Sequence, residues 1–337
     1  MISFLNDYNE LCHPQVMNDL VALQGEVNVG YSEDDHVANA ISLIKDTFEA
    51  EDVDVHFIHG GTATNAVAIA TSLRSFEGVI TCDTGHIVGH ENGAIESLGF
   101  QLIQAKNKDG KICLEELDRI NKENQEEYKV VPKLLYISNA TELGTVYTKS
   151  ELETLSKYCK ENDIYIYMDG ARLATALNSK KSDLKASDLV KYLDIFSIGG
   201  TKNGMIAGEA LIIVNKELSK GFRKTLKQKG SMLAKGYFLG MQFETMFTDG
   251  LYFELGKDAV EKAEYLAKTF VDKGVKLYKE QESNLVFVIL SQDQIERLSE
   301  DFLFEKMQEV EKDQFVVRFV TRWATTKEEI DKLGQAL

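Results

Sequence analysis

Asp194-Ile195-Phe196-Ser197-Ile198-Gly199-Gly200-Thr201-Lys202-Asn203-Gly204 is a nearly continuous apolar run that breaks into glycines around a single lysine. A run that is apolar at successive positions reads as a strand covered by helices on both sheet faces. The same grammar recurs on either side. Asp54–Gly61 (DVHFIHGG), Gly78–Thr84 (GVITCDT), Gln101–Lys106, Lys133–Asn139 (KLLYISN), Ile164–Gly170 (IYIYMDG) and Glu209–Asn215 (EALIIVN) bring the count of buried strands to seven. Helical periodicity fills the gaps. Val37, Ile41, Ile44 and Phe48 share one face after an acidic start at Glu33, Asp34 and Asp35, as a helix N-terminus favours. A second helix is expected from Thr62, and a third carries Leu152, Leu155 and Cys159. Such alternation predicts an α/β domain with a mainly parallel seven-stranded sheet.

Beyond residue 250 the pattern changes to a long helix (Val260, Ala263, Leu266, Phe270), two separated strands (Leu285–Ser291 and Phe315–Thr321) and a helical tail. The expected division is an N-terminal arm over 1–20, a large α/β domain over 21–250 and a small C-terminal α+β domain over 251–337. Asn121–Glu127 (NKENQEE), the most polar stretch, is expected as a surface loop.

The 337 residues carry 38 Lys+Arg against 54 Asp+Glu, a net charge of −16, which argues against a general binder of nucleic acid or anionic membranes. No stretch reaches the roughly 18 apolar residues of a membrane span. The first residues show no secretory signal. Cys12, Cys82, Cys113 and Cys159 form no CxxC pair, as expected of reduced thiols. A cytoplasmic location is the expectation.

Four motifs carry candidate chemistry. Lys202 follows a buried strand, and a lysine withdrawn from water titrates low enough to act as a nucleophile; the alternative is a surface lysine in a glycine-rich turn. Asp169-Gly170-Ala171-Arg172 closes another strand, at the sheet edge where ligands of open α/β sheets bind. Its acid either pairs with the arginine or faces a cationic ring nitrogen. His59-Gly60-Gly61-Thr62 lacks the spacing of a P-loop or dinucleotide fingerprint. Strand, glycines and helix start nevertheless make an anion cradle, or else a tight turn with Thr62 as cap. His86 and His90 lie four apart without a third ligand at a recognisable spacing, so no metal is expected, and a flat ring beside a cofactor is the better reading. Together these are the parts needed to hold pyridoxal phosphate.

From Ser3-Phe4-Leu5-Asn6-Asp7-Tyr8 and Gly30-Tyr31-Ser32-Glu33-Asp34, through Gly60-Gly61-Thr62, Gly85-His86, Asp169-Gly170-Ala171-Arg172 and Gly200-Thr201-Lys202, to Val317-Arg318-Phe319-Val320-Thr321, the whole chain resembles the threonine aldolase and β-eliminating lyase group of fold-type I pyridoxal-phosphate enzymes. The resemblance implies an aspartate aminotransferase-like fold. It also implies that Lys202 carries the cofactor with Thr201 beside it, that Gly61 and Thr62 hold the phosphate on a turn that Gly60 keeps open, and that Asp169 faces the pyridine nitrogen. Arg172 would lie near the ring's phenolic oxygen and the substrate, His86 would stack on the ring, and Ser3 and Arg318 would take the substrate carboxylate. Tyr31 and Lys227 resemble positions that reach a neighbouring subunit's site, which implies a homodimer or homotetramer; a solvated cationic helix is the other reading of the stretch around Lys227. The activity implied is cleavage of L-threonine, L-allo-threonine or related β-hydroxy-α-amino acids to glycine and an aldehyde. The alternative is β-elimination or amino transfer on another amino acid. Many threonine aldolases carry Thr-His after the strand matching Lys133–Asn139, whereas Asn139-Ala140-Thr141-Glu142 stands here. Glu142, or His86 or His90 through water, is then the expected base for the β-hydroxyl.

Overall fold

The computed structural model describes residues 1–337. Twelve strands, numbered in chain order, form three sheets: β1 (Ile2–Ser3), β2 (Asp54–Ile58), β3 (Glu77–Cys82), β4 (Gln101–Ala105), β5 (Val131–Ser138), β6 (Tyr165–Asp169), β7 (Ile195–Gly199), β8 (Glu209–Ile213), β9 (Leu285–Ser291), β10 (Phe302–Leu303), β11 (Glu305–Glu311) and β12 (Gln314–Val320). The large sheet has seven strands in the order β2-β8-β7-β6-β5-β3-β4. Every neighbouring pair from β7 to β4 is parallel, while β8 runs antiparallel to both β7 and β2.

The alternation of side chains explains the apolar runs. Leu135, Ile137, Ile166, Met168, Phe196, Ile198, Ala210 and Ile212 point into one core. Leu134, Tyr136, Tyr167, Ile195, Leu211 and Ile213 point into a second core on the opposite face. Both faces are therefore dry, and a single strand contributes to each at successive residues. The helix Asp35–Phe48 buries Val37, Ala40, Ile44 and Phe48, with Asp34 capping the Val37 N–H at 2.9 Å.

The 22-residue helix Leu251–Asp272 carries the chain from the large sheet to the small one. Gly256 lies so close to Ala174 that a Cβ there would stand 2.6 Å from its backbone. Further along, Ala263, Leu266 and Phe270 pack under the antiparallel β11-β12-β9 sheet with Val286, Val288, Val317 and Phe319.

Three local features depart from the pattern reading. The helix Leu114–Glu123 runs through the first part of Asn121–Glu127, because Leu117 and Ile120 anchor it while its polar face meets solvent. β11, mostly exposed and rich in Glu, carries no apolar alternation and pairs with β12 through the backbone. β1 joins β10 in a two-stranded parallel sheet, so the chain's first residues belong with the C-terminal sheet.

Candidate active site

Five strands, β2, β5, β6, β7 and β8, deliver residues to one cleft of about 260 Å³ at the edge of the large sheet. β2 leads into Gly60, Gly61 and Thr62; β5 leads into Ala140 and Glu142; β6 ends at Asp169, followed by Arg172; β7 leads into Thr201 and Lys202. His86 reaches the cleft from the turn after β3. Larger depressions elsewhere, including one of about 590 Å³ beside Lys111, gather no comparable set.

Asp169 is fully enclosed by donors. One oxygen accepts from the Asn65 amide at 3.0 Å and the Tyr136 hydroxyl at 2.7 Å, and the other from the Ala171 N–H at 2.9 Å. Burial alone would raise its pKa. The nearby His86 and these hydrogen bonds outweigh burial, so the carboxyl is held below its ordinary value and stays charged.

Asn65 also donates to Glu91 at 2.7 Å, and Glu91 meets His86 Nδ1 at 2.9 Å. With a carboxylate facing Nδ1, that nitrogen carries the proton and the ring's orientation is fixed. Glu142 accepts from the His86 N–H at 2.8 Å and from Ser138 Oγ at 2.7 Å, and burial raises its pKa. Arg172 donates through Nε and Nη2 to the buried Asp7 at 2.7 and 3.1 Å, a two-bond fork. Burial lowers the Lys202 pKa, and the positive charge of Arg172 acts in the same direction; Asp7, Asp169 and Glu209 oppose the drop without cancelling it.

The structure thus brings together Gly60, Gly61, Thr62, His86, Glu142, Asp169, Arg172, Thr201 and Lys202. Ser3, Arg318, Tyr31 and Lys227 lie outside that lining. The Ser3 hydroxyl accepts from Asn9 at 2.7 Å, and the neighbouring Phe4 carbonyl accepts from Val320, which sets Ser3 beside the strand that bears Arg318. Arg318 is ion-paired with Glu305, while its Nε is buried without a hydrogen-bond partner. Lys227 stands 4.9 Å over the Tyr31 ring on a separate surface. No group of three or more His, Cys, Asp or Glu side chains is gathered as a metal cage.

Pattern reading assigned no role to Asp7, Asn65, Glu91, Tyr136 or Glu209. Asp7 lies inside the N-terminal motif quoted above, and Asn65 three residues after the cradle motif. Tyr136 and Glu209 sit within apolar strand runs, where a lone polar residue was the available signal.

The beta-eliminating lyase family model matches residues 14–294. A low specificity L-threonine aldolase of Pseudomonas aeruginosa is 34% identical over 82% of this chain and 82% of that protein. A solved structure of Leishmania major threonine aldolase superposes with a TM-score of 0.98 at 41% identity, covering 99% of this chain and 98% of that one. The aspartate aminotransferase of Thermotoga maritima, at 16% identity, superposes with a TM-score of 0.73 over 99% and 90% of the two chains, which shows a shared fold. This chain belongs to the beta-eliminating lyase family and has the aspartate aminotransferase-like fold.

Proposed function

We propose that the protein is a pyridoxal-phosphate-dependent aldolase that cleaves L-threonine, L-allo-threonine or a related β-hydroxy-α-amino acid to glycine and an aldehyde. The observation that carries this reading is the pairing of Lys202, buried and inclined to lose its proton, with Asp169, held charged across the same cleft. The names of the Pseudomonas and Leishmania relatives supply the substrate class.

The residues fit the cofactor. A Cβ built on Gly60 or Gly61 meets nothing within 4 Å, so the turn leaves open space before the helix Gly61–Ser72. No side chain caps that helix start, and its free N–H groups suit a phosphate. Thr62 and Thr201 would add hydroxyls, Asp169 would face the ring nitrogen, His86 would cover the ring and Lys202 would hold the aldehyde carbon. Bound there, the cofactor supplies an electron sink for the substrate's Cα.

The chain's own groups then divide the work. Arg318, with an unpartnered Nε, would take the substrate carboxylate with Ser3 beside it. Fixing the carboxylate decides which bond at Cα aligns for cleavage. Arg172 would lie near the ring oxygen, its own direction fixed by Asp7. Glu142 would take the β-hydroxyl proton, since a buried carboxyl with a raised pKa is a stronger base than an exposed one.

No feature of the cleft favours elimination or amino transfer over this reading. Lys227 and Tyr31, remote from their own cleft, would serve a neighbouring subunit's site in a homodimer or homotetramer. The test is a spectrum of purified protein before and after L-threonine, L-allo-threonine and glycine, with aldehyde assayed in the same cuvette. Visible-edge absorbance that borohydride fixes onto Lys202, with acetaldehyde released, supports the reading. A colourless protein indifferent to added pyridoxal phosphate rejects it.

A further inference from the structure

Glu209 has no place in the roles assigned above, yet it is 4% exposed and lines the same cleft as Lys202. Its position follows from strand direction. β8 is antiparallel to both of its neighbours, so it begins where they end. Glu209 stands opposite Ile58 of β2 on one side and Gly199 of β7 on the other. β2 continues into the Gly60–Thr62 turn, and β7 into the Thr201–Lys202 loop. Backbone bonds tie the second loop to the start of β8: the N–H groups of Gly200 and Thr201 donate to the Gly208 carbonyl at 3.0 and 3.2 Å, and the Gly208 N–H donates to Thr201 Oγ1 at 3.1 Å. The carboxyl of Glu209 is therefore fixed between the anion cradle and the lysine loop.

A full negative charge at that place would repel a phosphate ester held on the cradle turn. A neutral carboxylic acid would instead offer it an O–H donor. The charged and titratable groups around Glu209 are Lys202, Asp169 and Tyr167 on β6, Tyr252 on the long helix and His59 on the cradle turn. Burial and the neighbouring Asp169 push Glu209 up to about 8, with Lys202 and the hydrogen bonds of the loop pulling the other way.

We propose that Glu209 is a positioning residue whose carboxylic O–H hydrogen-bonds the anionic group held between the cradle turn and the lysine loop, so that its ionisation weakens the hold on that group. This deepens the cofactor reading of the cleft and rests on it. The role differs from that of Asp169: the two buried acids of one cleft are pushed in opposite directions, one down by its hydrogen-bond donors and the nearby His86, the other up by burial and the first acid's charge.

The test uses the Lys202→Ala background, where covalent capture is absent and the lysine no longer titrates. Binding of pyridoxamine 5′-phosphate, and of pyridoxamine as the phosphate-free control, is followed by fluorescence between pH 7.5 and 9.5, where an ordinary imidazole is already neutral and the phosphate is a dianion. With Glu209 present, the phosphate compound should bind about tenfold more weakly at the alkaline end, the change one ionisation produces per pH unit above its midpoint. With Glu209→Gln, affinity should match at pH 7.5 and fall about tenfold less towards pH 9.5, keeping only the slope that the ligand's own ring nitrogen contributes, while Glu209→Asp should restore the larger pH dependence. Equal slopes in the Glu and Gln proteins would overturn the proposal. So would a tenfold affinity change at pH 7.5 in a Gln variant with unaltered circular dichroism, because it would mean the carboxylate was already charged. A Glu-versus-Gln difference in slope of the same size with pyridoxamine would remove the phosphate from the argument and overturn it too. Failure of the Lys202→Ala protein to bind pyridoxamine 5′-phosphate at any pH would reject the cofactor reading itself, and this inference with it.

Discussion

Asp7 and Arg172 are the pair on which the cleft's charge balance turns. Asp7 is buried and its pKa is lowered: burial would raise it, but Arg172, Lys202 and the hydrogen bond from Asn284 win. Breaking such a pair leaves one charge uncompensated in a dry site, which costs roughly 3–5 kcal/mol. Asp7→Asn should therefore lower the chemical-denaturation midpoint and raise KM for the amino acid through a misdirected Arg172. An unchanged midpoint would contradict the pairing. Because the folded pKa of Asp7 is depressed, its contribution is present above the unfolded carboxyl value near 4 and is lost as pH falls through the folded value. The stability gap between wild type and Asp7→Asn should accordingly narrow as pH falls below the unfolded carboxyl value near 4. Glu142 gives a different signature. Glu142→Gln should keep the cofactor but lose about 10²–10⁴ in kcat, the usual worth of a positioned base. Full turnover in that variant would transfer the role to His86 or His90.

At the scale of elements, the segment before the helix Asp35–Phe48 is held by an imidazole. His36 places Nε2 2.8 Å from Glu26 and Nδ1 2.6 Å from Glu244 on the helix Tyr237–Phe247. Two carboxylates facing both ring nitrogens can be satisfied together only by the imidazolium. Burial would lower the His36 pKa, but the two carboxylates outweigh it and raise it. Stability from a raised pKa is fully present below the unfolded value near 6.5 and disappears as pH rises through the folded one. His36→Gln should cost about 1 kcal/mol at pH 6, discounted for partial exposure, and nothing at pH 9.5. Thermal melts at both pH values check the sign, and an equal loss at both would show that packing, not charge, holds this segment. The strands invite a blunter test. Phe196 on β7 is fully buried inside the sheet's core, and Phe196→Ala should destabilise by about 3–5 kcal/mol.

At the scale of the whole molecule, the separation of Tyr31 and Lys227 from their own cleft is the feature to explain. Val27 and Val29, close to Tyr31 in sequence, are exposed as well. Where these residues complete a neighbour's site, Lys202→Ala and Lys227→Ala proteins, each impaired alone, should regain activity when unfolded together and reassembled. A dimer carrying one of each then holds one intact site. Mixed protein no more active than the average of the two would place Lys227 outside a neighbouring subunit's site.

The sequence by itself determined the α/β class, the seven-stranded sheet and the family, because buried parallel strands leave continuous apolar runs and glycine-bounded turns that survive without any partner being known. Gly60, Gly61, Asp169 and Lys202 were legible for the same reason: each stands at a strand's end, where local pattern and sheet geometry coincide. What only the tertiary structure decided was pairing across distance. Asp7 meets Arg172 across 165 residues, and Asn65 meets Asp169 across 104. Glu209 reads as one acid at the head of an apolar strand until β8 is seen to run backwards between β2 and β7. β11 stayed hidden because its ladder is made by the backbone, which has no side-chain period to read. Charge states belong with these pairings, since burial and neighbouring charges set them, and neither exists until the chain has closed on itself.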